Sequence, residues 1–185
     1  MSAIEIVKYG DPRLRKICKT VKDLSLLPDI ISNMYDSMYE AEGIGLAANQ
    51  IGIDLNLFII DITHVDEVTE SAEFINSKIV DSRGESTFSF SEGCLSLPGV
   101  EFEIKRPEFI TLQYQKIDGS KNEQEFGGLY ARAIQHEMDH LNGKLIVDRV
   151  TSIAKLRYKT QLKEIKENAD YHYSDLLERK GATLL

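Results

Sequence analysis

The stretch GLYARAIQHEMDHLNG, residues 128–143, reads as one helix followed by a stop. Leu129, Ala133, His136 and His140 fall near one helical face, and Asn142-Gly143 favours a left-handed cap at the C-terminal end. The HExxH string within it sets His136 and His140 one turn apart with both imidazoles on the same side, so two metal ligands are preset. Glu137 is rotated by about 100° on the helical wheel, beside such a metal, where it can accept a proton from bound water. A helix that merely carries two histidines is the plainer reading, but the motif lies on an apolar face rather than in a charged loop.

Outward from this helix the texture changes. LNLFIIDI (55–62), EFINSKIV (73–80), STFSF (86–90), VEFEI (100–104) and FITLQYQKI (109–117) are rich in β-branched and aromatic residues. Asp118-Gly119 favours a tight hairpin turn before NEQEF. Upstream, LSLLPDIISNMYDSMYEA (24–41) spaces Leu27, Ile30, Ile31, Met34 and Met38 as one helical face, with Gly43 as its stop. Downstream, KLIVD (144–148) reads as a short strand, residues 151–167 as a mixed-charge helix, and the residues from about 168 as a polar, flexible tail. The predicted fold is α+β: antiparallel β-sheets packed around a central HExxH-bearing helix, with an N-terminal and a C-terminal helix, in a single domain over residues 1–185. A chain of 185 residues with 42% hydrophobic content can bury such a core.

Charge narrows the function. A formal net charge of -8, from 22 basic against 30 acidic side chains, repels a phosphate backbone and argues against a general DNA or RNA binder. The N-terminal residues lack the apolar segment of a secretory signal, and no stretch approaches the roughly 20 apolar residues that cross a bilayer, so a cytoplasmic protein with no membrane partner is expected. Two cysteines, Cys18 and Cys94, cannot make a disulfide framework. Cys18 reads as a core thiol, and His64 and His172 as solvated side chains.

A catalytic tetrahedral metal usually takes three protein ligands and keeps one position open. A metzincin histidine would stand three residues after Gly143, where the chain has Ile146. A glutamate-type zinc metallopeptidase would pair His136 and His140 with Glu164 or Glu167 from the later helix. Cys94, in SFSEGCLSLP (89–98), is the other candidate, because a divalent cation stabilises a thiolate outright. As a nucleophile Cys94 would need a histidine base, and both plausible histidines make a better pair as ligands. Finally, EGIGLAANQIG (42–52) contains a superficial dinucleotide fingerprint, but it follows a helix and leads into a strand, the reverse of what that motif requires. A small-residue loop instead lets a peptide backbone approach, and the Gln50 amide can donate to a polarised carbonyl oxygen.

Together, GIGLAANQ (43–50), EGCLS (92–96) and QHEMDHLNG (135–143) resemble the three signature motifs of the peptide deformylases, in order and without a gap, and the similarity runs from GDPRLRK to the helix after the third motif. The resemblance implies a metal-dependent hydrolase that takes the formyl group from the N-terminal formyl-methionine of nascent polypeptides and releases formate. It selects Cys94 over Glu164 as the third ligand of one divalent metal ion, Fe2+ in the cell, with Zn2+, Ni2+ or Co2+ tolerated in a purified sample. It further implies that Glu137 is the general base, that Gln50 and the Leu95 backbone N–H hold the oxyanion, and that Gly45 and Gly93 hydrogen-bond an extended N-formylmethionyl substrate. Ile44, Glu92, Leu129, Arg132 and Ala133 would surround the methionine side chain, although a charge at Arg132 must sit at the rim or pair with an acid. Lys155, Arg157, Lys159, Lys163 and Lys166 give the late helix a basic character that in related bacterial enzymes goes with docking on the ribosome.

Overall fold

In the computed structural model, which describes residues 3–65, 71–85 and 90–179, the run LFII forms a strand, β2 (Leu57–Ile60), with every residue buried. An apolar run without alternation suits a strand covered on both faces. Phe58 and Ile60 face one core, and Leu57 and Ile59 the other. Around β2 an antiparallel sheet runs in the order β1 (Gly45–Ala47), β2, β3 (Ala72–Glu85), β6 (Pro107–Gln115), β7 (Lys121–Gly127). Helix α1 (Leu27–Glu40) lays Leu27, Met34 and Met38 on the Leu57–Ile59 face. Helix α2 (Gly128–Leu141) covers the opposite face with Ala131, Ile134, Met138 and Leu141. Each such apolar side chain contributes roughly 1.5–3 kcal/mol on burial, and the stack of Phe58 on Phe74, 4.8 Å between centroids, adds to the α2 side.

A separate hairpin, β4 (Phe90–Cys94) with β5 (Leu97–Ile104), turns through Leu95 and Ser96. Its inward residues Leu97, Val100, Phe102 and Ile104 form a third core with Leu145, Ile146 and Val147; past the short α3 (Ser152–Leu156), Tyr158 and, from α4 (Lys159–Arg179), Leu162 and Ile165 pack against it. The HExxH helix therefore lies between the large sheet and this hairpin. The α+β arrangement matches the one predicted.

Three local expectations are corrected. KLIVD is not a strand: Ile146–Arg149 is a 3-10 turn, closed by the Asp148 carboxylate accepting from the Leu145 N–H at 2.8 Å. The tail expected from about 168 is helical as far as it is described, since α4 continues to Arg179, with Ala169 buried and Arg13 lying over the Tyr173 ring; residues 180–185 lie outside the described residues. The stop after α1 uses Glu42, whose φ of 56° is left-handed, rather than Gly43. Of STFSF, residues 86–89 lie outside the described residues.

Candidate active site

The edge of β4, the N-terminal half of α2 and the α1–β1 loop enclose a cleft of about 570 Å³. Ile44, Gly45, Gln50, Gly93, Cys94 and Leu95 border it from the loop and hairpin sides. Glu92, Leu129, Arg132, Ala133, His136 and Glu137 complete the wall. Every sequence-predicted site residue thus reaches the cleft except His140, which is 1% exposed and lies against it with Nε2 3.2 Å from Cys94 Sγ.

The ligand cage follows from local geometry. The i, i+4 spacing on α2 holds the rings of His136 and His140 5.2 Å apart, centroid to centroid. Cys94 ends β4 beside a register shift between Glu92 and Cys94, which turns its sulfur towards α2. Donors around a tetrahedral cation stand about 3.3–3.8 Å apart, and the three donor atoms here all lie within 4.8 Å of one another. The Glu92 carboxylate lies 3.3 Å from His136 Nδ1, which leaves Nε2 for a cation. Burial opposes charge on His136, but hydrogen bonds to Cys94 and Glu92 more than offset it and hold the ring well above the ordinary imidazole range. Burial and then the neighbouring His136 charge push His140 well below it. One sulfur and two imidazoles at this spacing fit a single divalent cation.

Two further groups converge on the cleft. Glu137 is 4% exposed and its Oε2 has no hydrogen-bond partner among the described residues. Burial lifts this carboxyl to about 7, and a divalent cation beside it would favour the carboxylate that accepts a proton. Its other oxygen rests over Gly45, where an added Cβ would stand 2.6 Å from Oε1. The orientation of the Gln50 amide is set by its surroundings: Oε1 accepts from the Ala47 N–H at 2.8 Å, so Nε2 turns to Ser96 Oγ at 3.2 Å and towards Cys94 Sγ at 3.9 Å. Leu95 packs its side chain where Gly43 has none, an added Cβ there meeting Leu95 Cδ1 at 2.6 Å.

A buried charge network backs the cage. Arg106, between β5 and β6, donates to Glu92 at 2.7 and 2.8 Å and to Asp139 at 2.9 Å. Arg132 donates to Glu92 and to the Ile104 carbonyl, and Arg149 binds Asp139. Burial works against charge on Glu92, but its hydrogen bonds with His136 and Arg106 hold it down at about 2. Glu92 borders the cleft with both carboxylate oxygens engaged, and Arg132 has the acid partner that a charge at its position demands. Ser96 and Asp139 lie inside the EGCLS and HExxH stretches without a role assigned from sequence, and Arg106 carries no motif signal, standing only as an arginine between two strand-like runs. Glu164 is exposed on α4 and does not belong to the donor cluster.

The polypeptide deformylase family model matches residues 3–156. A peptide deformylase of Flavobacterium psychrophilum is 41% identical over 177 residues, covering 89% of this chain and 91% of that one, and one of Prochlorococcus marinus is 42% identical over 179 residues, covering 96% and 86%. Among solved structures, the peptide deformylase of Legionella pneumophila superposes with a TM-score of 0.81 at 39% identity, over 90% of this chain and 96% of that one. The Thermus thermophilus enzyme gives 0.83 at 34% identity, over 90% and 99%.

Proposed function

The chain belongs to the polypeptide deformylase family, whose members remove the formyl group from an N-terminal methionine, and we propose how its own residues do so. Cys94, His136 and His140 are the protein ligands of one divalent cation. A cation held there would acidify a water to near neutrality and so provide the nucleophile for the small formyl carbon. Glu137 Oε2 would accept a proton from the attacking water and return it to the departing amine nitrogen, so that formate and a free amino terminus leave. The Gln50 Nε2 amide and the Leu95 N–H donate to the oxygen on which charge develops. Gly45 and Gly93 lend backbone hydrogen bonds to the extended peptide; at Gly93 an added Cβ would meet Glu101 at 3.8 Å, so the hairpin edge is open to one. The methionine side chain lies among Ile44, Leu129 and Ala133, with Glu92 and Arg132 at its margin.

The observation that carries this reading is the Cys94 sulfur 3.2 Å from His140 Nε2, within a cluster that holds all three donors. In the same reading the cellular metal is Fe2+, residues 1–185 act as a single domain, and the enzyme is cytoplasmic, where its nascent substrate arises. No helix is long and apolar enough to cross a membrane among the described residues. The basic side chains of α3 and α4, of which Arg157, Lys159, Lys163 and Lys166 are exposed, dock it on the ribosome; cosedimentation that survives charge reversal at these positions would remove that part. The central test is formate release from formyl-Met-Ala under anaerobic conditions, with metal quantified on the same sample. Cys94→Ser should lose both metal and turnover. Retention of both, with loss in Glu164→Gln, would return the site to a glutamate-type peptidase.

A further inference from the structure

With Gln50 and Leu95 as oxyanion donors, two segments far apart in sequence must converge on one oxygen, and a displacement of about 1 Å is enough to cost rate. Residues Val7–Tyr9 touch both segments. The Val7 N–H donates to the Gln50 carbonyl at 2.7 Å and the Tyr9 N–H to the Ser96 carbonyl at 2.8 Å. Between them the Lys8 ammonium donates to the Leu95 carbonyl at 2.9 Å. Leu95 and Ser96 are the central residues of the β4–β5 turn, in which Cys94 pairs with Leu97. The Leu95 carbonyl and the Leu95 N–H flank one Cα, so a bond that fixes the carbonyl restrains the residue whose N–H faces the cleft. Here the carbonyls of both central residues are tied from outside the hairpin, one by a backbone N–H and one by a side chain. Lys8 is half-buried at the border of the cleft, with its stem along the wall and its charge aimed at a carbonyl dipole.

We propose that Lys8 is a positioning residue for deformylation, holding the Leu95–Ser96 turn so that the Leu95 N–H and the Gln50 amide meet at the developing oxyanion. This rests on the oxyanion assignment made above. The test uses the full-length, metal-loaded enzyme with Lys8→Met, Lys8→Arg and Gln50→Ala, each followed by formate release, metal content and amide hydrogen exchange over residues 91–98. Lys8→Met should lower kcat about tenfold, less than the 10²–10³ lost on removing an oxyanion donor outright, with KM changed less than threefold. It should also quicken exchange in the turn, and Lys8→Arg, which can still donate to the carbonyl, should recover most of kcat. Cobalt-loaded Lys8→Met should keep the sulfur-to-cobalt absorption of the wild type, since the cage is untouched.

A kcat within twofold of wild type, or a rise in KM alone, would overturn the proposal, the latter assigning Lys8 to substrate binding. Loss of the cobalt band would overturn it too, by making Lys8 act on the Cys94 ligand. Should Lys8→Met fail to fold, Lys8→Ala, which likewise cannot donate, carries the same expectations. Wild-type turnover in Gln50→Ala would remove the oxyanion assignment and this inference with it, whereas wild-type turnover in Lys8→Met alone removes only the inference.

Discussion

A buried carboxyl oxygen without a partner is costly to a fold, and Glu137 Oε2 is one. Its place on α2 is explained by the cleft it faces rather than by packing. Glu137→Gln, which keeps the shape and removes the base, should bind metal as the wild type does and lose on the order of 10²–10⁴ in kcat. The thermal midpoint of the metal-free protein should not fall. Unchanged formate production would take Glu137 out of the chemistry. The two thiols differ for an equally local reason. Burial and then Asp54 push Cys18 up to about 12, so at pH 8 it stays protonated and unreactive. Cys94 borders the open cleft. Iodoacetamide at pH 8 should leave the metal-loaded enzyme unmodified and, after chelation, label one cysteine per chain. Peptide mapping should place that label at Cys94, with Cys18 joining only as the pH rises towards its own ionisation. A label on Cys18 at pH 8 would contradict the raised ionisation of its half-buried thiol.

At the scale of elements, the site is a matter of what two short segments leave out. β1 carries Gly45 under the Glu137 carboxylate, and an alanine there would bring a methyl to 2.6 Å from Oε1. Gly45→Ala should therefore cost at least tenfold in kcat while metal content and thermal midpoint stay near wild type; a variant as active as wild type would show that Glu137 has room to move. The elements that sequence reveals are those whose pattern is local. α2 runs from Gly128 to Leu141, as its periodicity and its Asn142-Gly143 stop demand, and the β6–β7 hairpin turns at Gly119 with φ of 84°. KLIVD has the apolar texture of a strand, yet among the described residues no strand pairs with it, and Asp148 closes it into a turn. α4 outruns its expected end because its continuation depends on Ala169 and on Tyr173 meeting Arg13, contacts across the chain that composition does not announce. The same holds in the site: the ligands announce themselves by type and spacing, while Arg106 and Lys8 matter only through where the fold delivers them.

Across the molecule, the cage joins parts that have separate cores. α2 belongs to the sheet core and Cys94 to the hairpin core, so their distance is set by whatever ties those two bodies together. Arg106 is that tie. It is 4% exposed and binds Glu92 on β4 and Asp139 on α2 at once. Buried ion pairs add little net stability over apolar packing, but removing one partner strands the other charge and costs roughly 3–5 kcal/mol. Arg106→Leu takes one partner from each of two carboxylates, leaving Glu92, which orients His136, to Arg132 and leaving Asp139 to Arg149. It should lower the thermal midpoint by on the order of 10 °C for a chain of this size and weaken metal retention on dialysis, because a ligand that loses its outer partner typically loses about 10–100-fold in affinity. Arg106→Lys, a point charge in place of a fork, should recover part of the stability and less of the metal affinity. A midpoint within about 2 °C of wild type, worth less than about 1 kcal/mol in a chain of this size, with full metal content would show that the two cores hold the cage without this arginine.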